Sequence, residues 1–91
     1  MRKNMIFSDY LKYRAKLRGF DLTKIEDIVR YSEEKYFDTI SNRRIAIGKH
    51  DKRLVMISYE ESDDAITPVT IHAITRQQIK FRLKTGRFIY E

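Results

Sequence analysis

The run Leu54-Val55-Met56-Ile57-Ser58-Tyr59-Glu60 constrains this chain more than any other stretch. It is nearly all apolar, with no alternation of polar and apolar residues. A strand of that kind hides both faces, so the segment is expected at the centre of a sheet, covered on each side. Its neighbours read with a period of two. Lys35 to Asp38 is a short strand, Ile40-Ser41-Asn42 a turn, and Arg43 to Lys49 a strand with Ile45 and Ile47 on one face. His50-Asp51-Lys52 is expected as a tight polar turn, Glu61 to Thr67 as an acidic loop, and Pro68 to Ile74 as a strand. Pro at the start of a strand loses no ladder bond.

Helical signals flank this block. Ser8 can cap a helix over residues 8–18, and Gly19 suits its left-handed stop. A second helix starts after Asp21 or Thr23, the latter forming a capping box with Glu26, and carries the stripe Leu22, Ile25, Ile28, Val29. Thr75 and Gln78 form another capping box ahead of a last helix that Gly86 closes. Arg87 to Glu91 is a short tail, extended at most. The expected class is α+β: two N-terminal helices, a four-stranded antiparallel meander and a C-terminal helix, with the helices on one face of the sheet.

Composition narrows the possible functions. Ninety-one residues make one domain, residues 1–91, without internal repeats. A chain of this size buries only about 60 to 65% of its unfolded surface, so a surface site or an interface is expected rather than a deep pocket. No apolar run is long enough to span a bilayer, and the N-terminus lacks the apolar core of a secretory signal. The absence of Cys excludes disulfides and thiolate metal sites. A cytoplasmic domain is the expectation.

The net charge of +6 is arranged in blocks. Residues 1–20 hold six bases and one acid, net +5; residues 21–41 hold three bases and six acids, net −3. Residues 42–59 come to five bases and one acid, net +4; residues 60–67 to four acids and no base, net −4; residues 68–91 to five bases and one acid, net +4. If the basic blocks meet, they form a cationic face suited to phosphates; otherwise they form a solvated mixed surface.

Several stretches together resemble the RelE/ParE toxin superfamily, and within it a small family related to BrnT-type toxins. They are Arg14-Ala15-Lys16-Leu17-Arg18-Gly19-Phe20, Tyr36-Phe37-Asp38, Ile45-Ala46-Ile47-Gly48-Lys49, Leu54 to Glu61, and Val69-Thr70-Ile71-His72-Ala73-Ile74-Thr75-Arg76 with the basic helix behind it. Where many relatives carry a His nine residues before the helix-closing Gly, this chain has Tyr10. The resemblance implies a toxin of a type II toxin–antitoxin pair: RNA-binding, and cleaving mRNA without metal or cofactor, with the ribosome as one implied setting. Its implied partners are a cognate antitoxin and mRNA, with a homodimer or a toxin–antitoxin hetero-oligomer as the assembly and no membrane. The same superfamily includes gyrase inhibitors that cut no RNA, so a non-catalytic binding protein or a detoxified interaction domain stands as the alternative.

Metal-free RNA cleavage needs a group to take the 2′-proton, a group to protonate the leaving oxygen, and cations around the phosphate. The resemblance points to Arg76, His72, Tyr90 and Lys49 for these roles, and to Arg44, Lys80, Arg82, Lys84 and Arg87 for holding RNA. Arg76 opens the last helix, where a cation opposes the helix dipole unless an anion sits nearby. His72 alternates with Ile71 and Ala73, which aims it away from any helices that Ile71 packs against. Each has a plainer structural reading: Arg76 and the basic helix as solvated surface, His72 as a satisfied structural residue, Tyr90 as tail. His50 reads as a turn residue, and Phe81, Leu83 and Phe88 as packed on the sheet. Arg14 and Arg18 either meet Glu33 or Glu34 or extend the cationic face.

Overall fold

The computed structural model describes residues 2–91. Its elements are β1 (Asn4–Met5), α1 (Asp9–Arg18), α2 (Leu22–Tyr31), β2 (Glu34–Asp38), β3 (Arg43–His50), β4 (Arg53–Glu61), β5 (Ala65–Ala73), α3 (Arg76–Lys84) and β6 (Phe88–Tyr90). The strands form one sheet in the order β1-β5-β4-β3-β2-β6. The class is α+β, and β2 to β5 form the expected antiparallel meander.

The sheet has six strands rather than four. β1 pairs parallel with β5, Asn4 opposite Ala65, so the sheet is mixed. β6 pairs antiparallel with β2, Tyr90 opposite Tyr36. Both added strands are two or three residues long. Their ladders come from partners far away in the chain, which no local period announces.

Capping follows the sequence closely. The Ser8 hydroxyl accepts from the Leu11 amide at 3.1 Å, and Gly19 ends α1 at φ 73°. Asp21, not Thr23, caps α2, its carboxylate accepting from the Thr23 amide at 2.7 Å. Thr75 and Gln78 form the reciprocal box at α3. Between β2 and β3, the Asp38 carboxylate accepts from the amides of Ile40 and Ser41, leaving Asn42 at φ 62°.

The helices do not share one face. Leu11, Ala15, Ile25, Ile28 and Val29 of α1 and α2 pack on Ala46, Val55, Ile57 and Ile71. Ile79 of α3 packs with Tyr36, Ile45, Ile47, Met56 and Phe88. Successive residues of a strand point to opposite sides, so the alternation Ile45, Ala46, Ile47 puts α3 across the sheet from α1 and α2. The unbroken apolar stretch of β4 is thereby explained: both its faces are covered. Gly48 lets α2 approach, since a Cβ there would lie 2.8 Å from Ile28 Cγ2.

Three local expectations are corrected. His50 is not in the turn; it ends β3, is 2% exposed, and its Nε2 accepts from the Asp21 amide at 2.8 Å. Its ring meets Phe20 edge-on at 5.1 Å, tying the start of α2 to the sheet. Pro68 lies inside β5, opposite Tyr59 and beside a register shift. The Ile6 amide donates to the Ile66 carbonyl, which places Ile66 toward the outer edge; Pro68, two residues on, faces the same way, where its missing N–H breaks no bond to β4. The acidic loop shrinks to Ser62-Asp63-Asp64, because Ala65 to Thr67 join β5. Among the described residues no helix is long and apolar enough to cross a membrane.

Candidate nucleic-acid interface

The side of the sheet facing away from α1 and α2 carries polar groups on β4 and β5. Ser58 lies opposite Thr70 and Met56 opposite His72. The Ser58 and Thr70 hydroxyls share a hydrogen bond at 2.5 Å. From α3, Arg82 reaches over this strip. Its Nη1 donates to Met56 Sδ at 3.1 Å, and its guanidinium lies 5.3 Å from the centre of the Phe88 ring. A thioether is a weak acceptor, so this contact leaves the guanidinium's charge and most of its donors free for a stronger partner.

His72 is half-buried at the middle of the strip. Burial pushes its imidazole below the ordinary 6.5, and Arg14, Arg18 and Arg82 push the same way. Arg82, which bonds Met56 directly opposite His72, is the cation that the packing brings onto this face; α1 packs on the other.

The pairing of charges elsewhere makes this strip distinct. Arg2 and Arg30 meet Glu26, Lys3 meets Glu61, Lys24 meets Asp51, Arg43 meets Glu60 and Arg44 meets Glu91. Among the described residues no ion pair involves Lys12, Arg14, Lys16 or Arg18 of α1, Lys49, Lys52 or Arg53 of the β3–β4 hairpin, or Lys80, Arg82 or Lys84 of α3. Arg53 links two of these groups. It donates to the carbonyls of Arg18 at 3.4 Å and Gly19 at 3.5 Å, and covers the Phe20 ring at 4.3 Å.

The residues singled out from the sequence fall into separate places. His72 and Arg82 meet in the strip. Arg76 Nη1 lies 2.7 and 2.6 Å from the two oxygens of Glu34, which also accepts from the Tyr36 hydroxyl at 2.7 Å. Burial works to raise the Glu34 carboxyl, but Arg76 and Tyr36 together hold it below its ordinary value. Burial and this carboxylate push the Tyr36 phenol up to about 12. Tyr90 stands beside that group, its ring 5.5 Å from Tyr36 and 76% exposed. Four strand steps separate β6 from β5, so Tyr90 and His72 are roughly 19 Å apart at about 4.8 Å per step. One scissile phosphate does not reach both.

Lys49 is exposed beside the hairpin, opposite Leu54. Arg44, an odd number of residues away, faces the other side of the sheet and bonds Glu91 at 2.8 Å. Lys80 and Lys84 are exposed on α3. Arg87 is held by Asp38 at 3.3 Å through both carboxylate oxygens. Burial raises the Asp38 carboxyl, yet Arg87 and the amides of Ile40 and Ser41 bring it below its ordinary value.

Sequence reasoning left Arg14 and Arg18 undecided and passed over Met56, Ser58 and Thr70. The available signal was two like charges one helical turn apart, an arrangement that costs stability unless something outside the helix uses it. Neither meets Glu33 or Glu34; Arg14 donates to the Tyr10 hydroxyl at 3.1 Å. Phe81, expected on the sheet, is 66% exposed beside a groove along α3 that Thr75, Gln78, Arg82 and Thr85 also line. A flat aromatic next to a free guanidinium suits a nucleobase and its phosphate.

Among the described residues no group of three or more His, Cys, Asp or Glu is placed to hold a metal ion. The chain matches no protein-family model, no curated protein and no solved structure.

Proposed function

We propose that this chain is an RNA-binding module of RelE/ParE type, the toxin of a toxin–antitoxin pair, and that its site is the strip around His72. The observation that carries this reading is Arg82 of α3, in no ion pair among the described residues, bonding Met56 directly opposite a half-buried His72 whose imidazole burial holds below its ordinary value. Unpaired guanidinium groups bind phosphate oxygens bidentately, and a neutral imidazole accepts a proton at physiological pH.

The chemistry follows from those roles. His72 takes the proton of a ribose 2′-hydroxyl while that oxygen attacks the adjacent phosphorus. The bond to the 5′-oxygen breaks, and the departing oxygen takes a proton from water. Arg82 holds the extra negative charge of the crowded phosphate. The products are a 2′,3′-cyclic phosphate and a free 5′-hydroxyl. An acidic antitoxin segment laid over the same cation would block RNA by charge.

The second reading is binding without cleavage, against gyrase or another target. It is favoured by the distance of Tyr90 from His72 and by the hold of Glu34 on Arg76, which leaves His72 as the strip's proton-transfer group. A cell-free translation reaction with mapped 5′ ends on a reporter mRNA separates the two. New cuts that vanish with His72→Ala and Arg82→Gln, and survive Arg76→Ala, establish cleavage at the strip. Translation blocked without cuts, and still blocked by His72→Ala, replaces cleavage with binding. Normal translation on intact mRNA overturns the ribosomal target, and gyrase is then tested.

A further inference from the structure

A second concave site lies on the opposite face of the sheet. An open cleft of 330 Å³ forms where the N-terminal segment and the end of α2 lie over β4, β5 and the start of β2. Its cationic lining is Arg2, Lys3, Arg30 and Lys35, with Glu61 among the lining and Glu26 behind Arg2 and Arg30. Tyr31 and Tyr59 supply two phenols.

These cations differ in how they are held. Arg30 is fixed on two sides, its Nε donating to Glu26 at 2.8 Å and its Nη2 to the Lys3 carbonyl at 2.8 Å. Its side chain is 10% exposed. A guanidinium anchored that way still has donors to present in a fixed direction. Lys35 has no carboxylate partner within ion-pair distance among the described residues; its ammonium stands 5.9 Å from the centre of the Tyr59 ring. Arg2 is 65% exposed, donates to the Tyr31 hydroxyl at 3.1 Å and lies 3.7 Å from Glu26, a loose arrangement that an incoming anion can take over. Tyr59 is 2% exposed, and burial, with Glu91 and Glu61, pushes its phenol up to about 12, so it remains an O–H donor.

We propose that this cleft binds a small phosphate-bearing anion, held by Arg30 and Lys35 and capped by Arg2. The volume is at the low end for ligand pockets, room for a phosphate with a small organic group. Four cations against Glu61 and Glu26 favour an anionic occupant, and a fixed guanidinium together with an ammonium in no ion pair among the described residues suits a tetrahedral dianion. The site is separate from the His72 strip, so it stands or falls independently of RNA cleavage.

Two-dimensional NMR titration of ¹⁵N-labelled full chain tests it, with inorganic phosphate, adenosine 5′-monophosphate and adenosine as probes. Saturable shifts at the amides of Arg30, Lys35 and Tyr59 are expected with a phosphate-bearing probe and not with adenosine. Saturation by the nucleotide alone makes the ligand a phosphomonoester; saturation by both makes the phosphate group sufficient. Lys35→Met keeps the side-chain stem and is expected to weaken binding about tenfold; Tyr59→Phe keeps the ring and reads the hydroxyl separately. His72→Ala leaves these shifts unchanged. No saturation by about 10 mM, shifts equal for adenosine, or full affinity in Lys35→Met overturns the proposal.

Discussion

α1 and α2 are both ten residues long and lie on the same face of the sheet, yet they treat their charges in opposite ways. In α2, Lys24 pairs with Asp51 and Arg30 with Glu26, and three buried side chains, Ile25, Ile28 and Val29, lock the helix to β3 and β4. In α1 only Leu11 and Ala15 are buried, and Lys12, Arg14, Lys16 and Arg18 join no ion pair among the described residues. Tyr10, Tyr13 and Leu17 stand exposed between those cations. A helix that stabilises the fold spends its charges internally. α1 keeps its charges and its aromatic surface facing outward.

The largest effect should come from breaking the α2 side. Ile25 is wholly buried, and Ile25→Ala is expected to cost about 3 kcal/mol by the loss of packing and the cavity left behind. Leu17→Ala, the same kind of truncation on an exposed α1 residue, should cost less than about 0.5 kcal/mol. Urea denaturation of both variants measures the contrast; equal losses would abolish the distinction between the helices.

The next effect sharpens the contrast in charge. Arg14→Gln, Arg18→Gln and Arg82→Gln should each weaken RNA binding and lower the slope of log affinity against log salt by about 0.7. Lys24→Gln, already paired in the fold, should leave affinity and slope unchanged. Filter binding across a salt series shows it, and an equal loss in Lys24→Gln would remove the strip as the binding surface.

The smallest effect is a pH dependence. The folded state holds His72 below its ordinary 6.5, so the native chain binds fewer protons here than the unfolded one. Stability from this source is present above that value and is lost as pH falls below it. The wild-type stability curve should therefore drop more steeply on acidification than that of His72→Gln. Parallel curves would mean that burial and the arginines do not act on this ring.

Much of the fold was legible because its signals are local. Ser8, Gly19 and the Thr75–Gln78 box each act within one helical turn, and the apolar run of β4 announced two covered faces. What escaped was decided at a distance. Asn4–Met5 and Phe88–Tyr90 become strands only through partners remote in sequence. His50 looks like turn chemistry until Phe20 and Asp21 close over it. Phe81 looks like core until α3 turns Ile79 inward instead. The candidate site divides on the same ground: alternation placed His72 on the side away from α1 and α2. Only the packing of α3 brings Arg82 onto Met56 opposite His72, and only β6 pairing carries Tyr90 away from it.

Pro68 has one more consequence. β1 covers β5 only at Ala65 and Ile66, so the remaining length of that strand is the border of the sheet. A long free border is a template on which a second copy can add a strand and start a polymer. Here the border carries a residue with no amide hydrogen, next to a break in register, and neither accepts a straight incoming strand. The chain thus guards its own solubility at the place where a small, strand-rich protein is most exposed to aggregation.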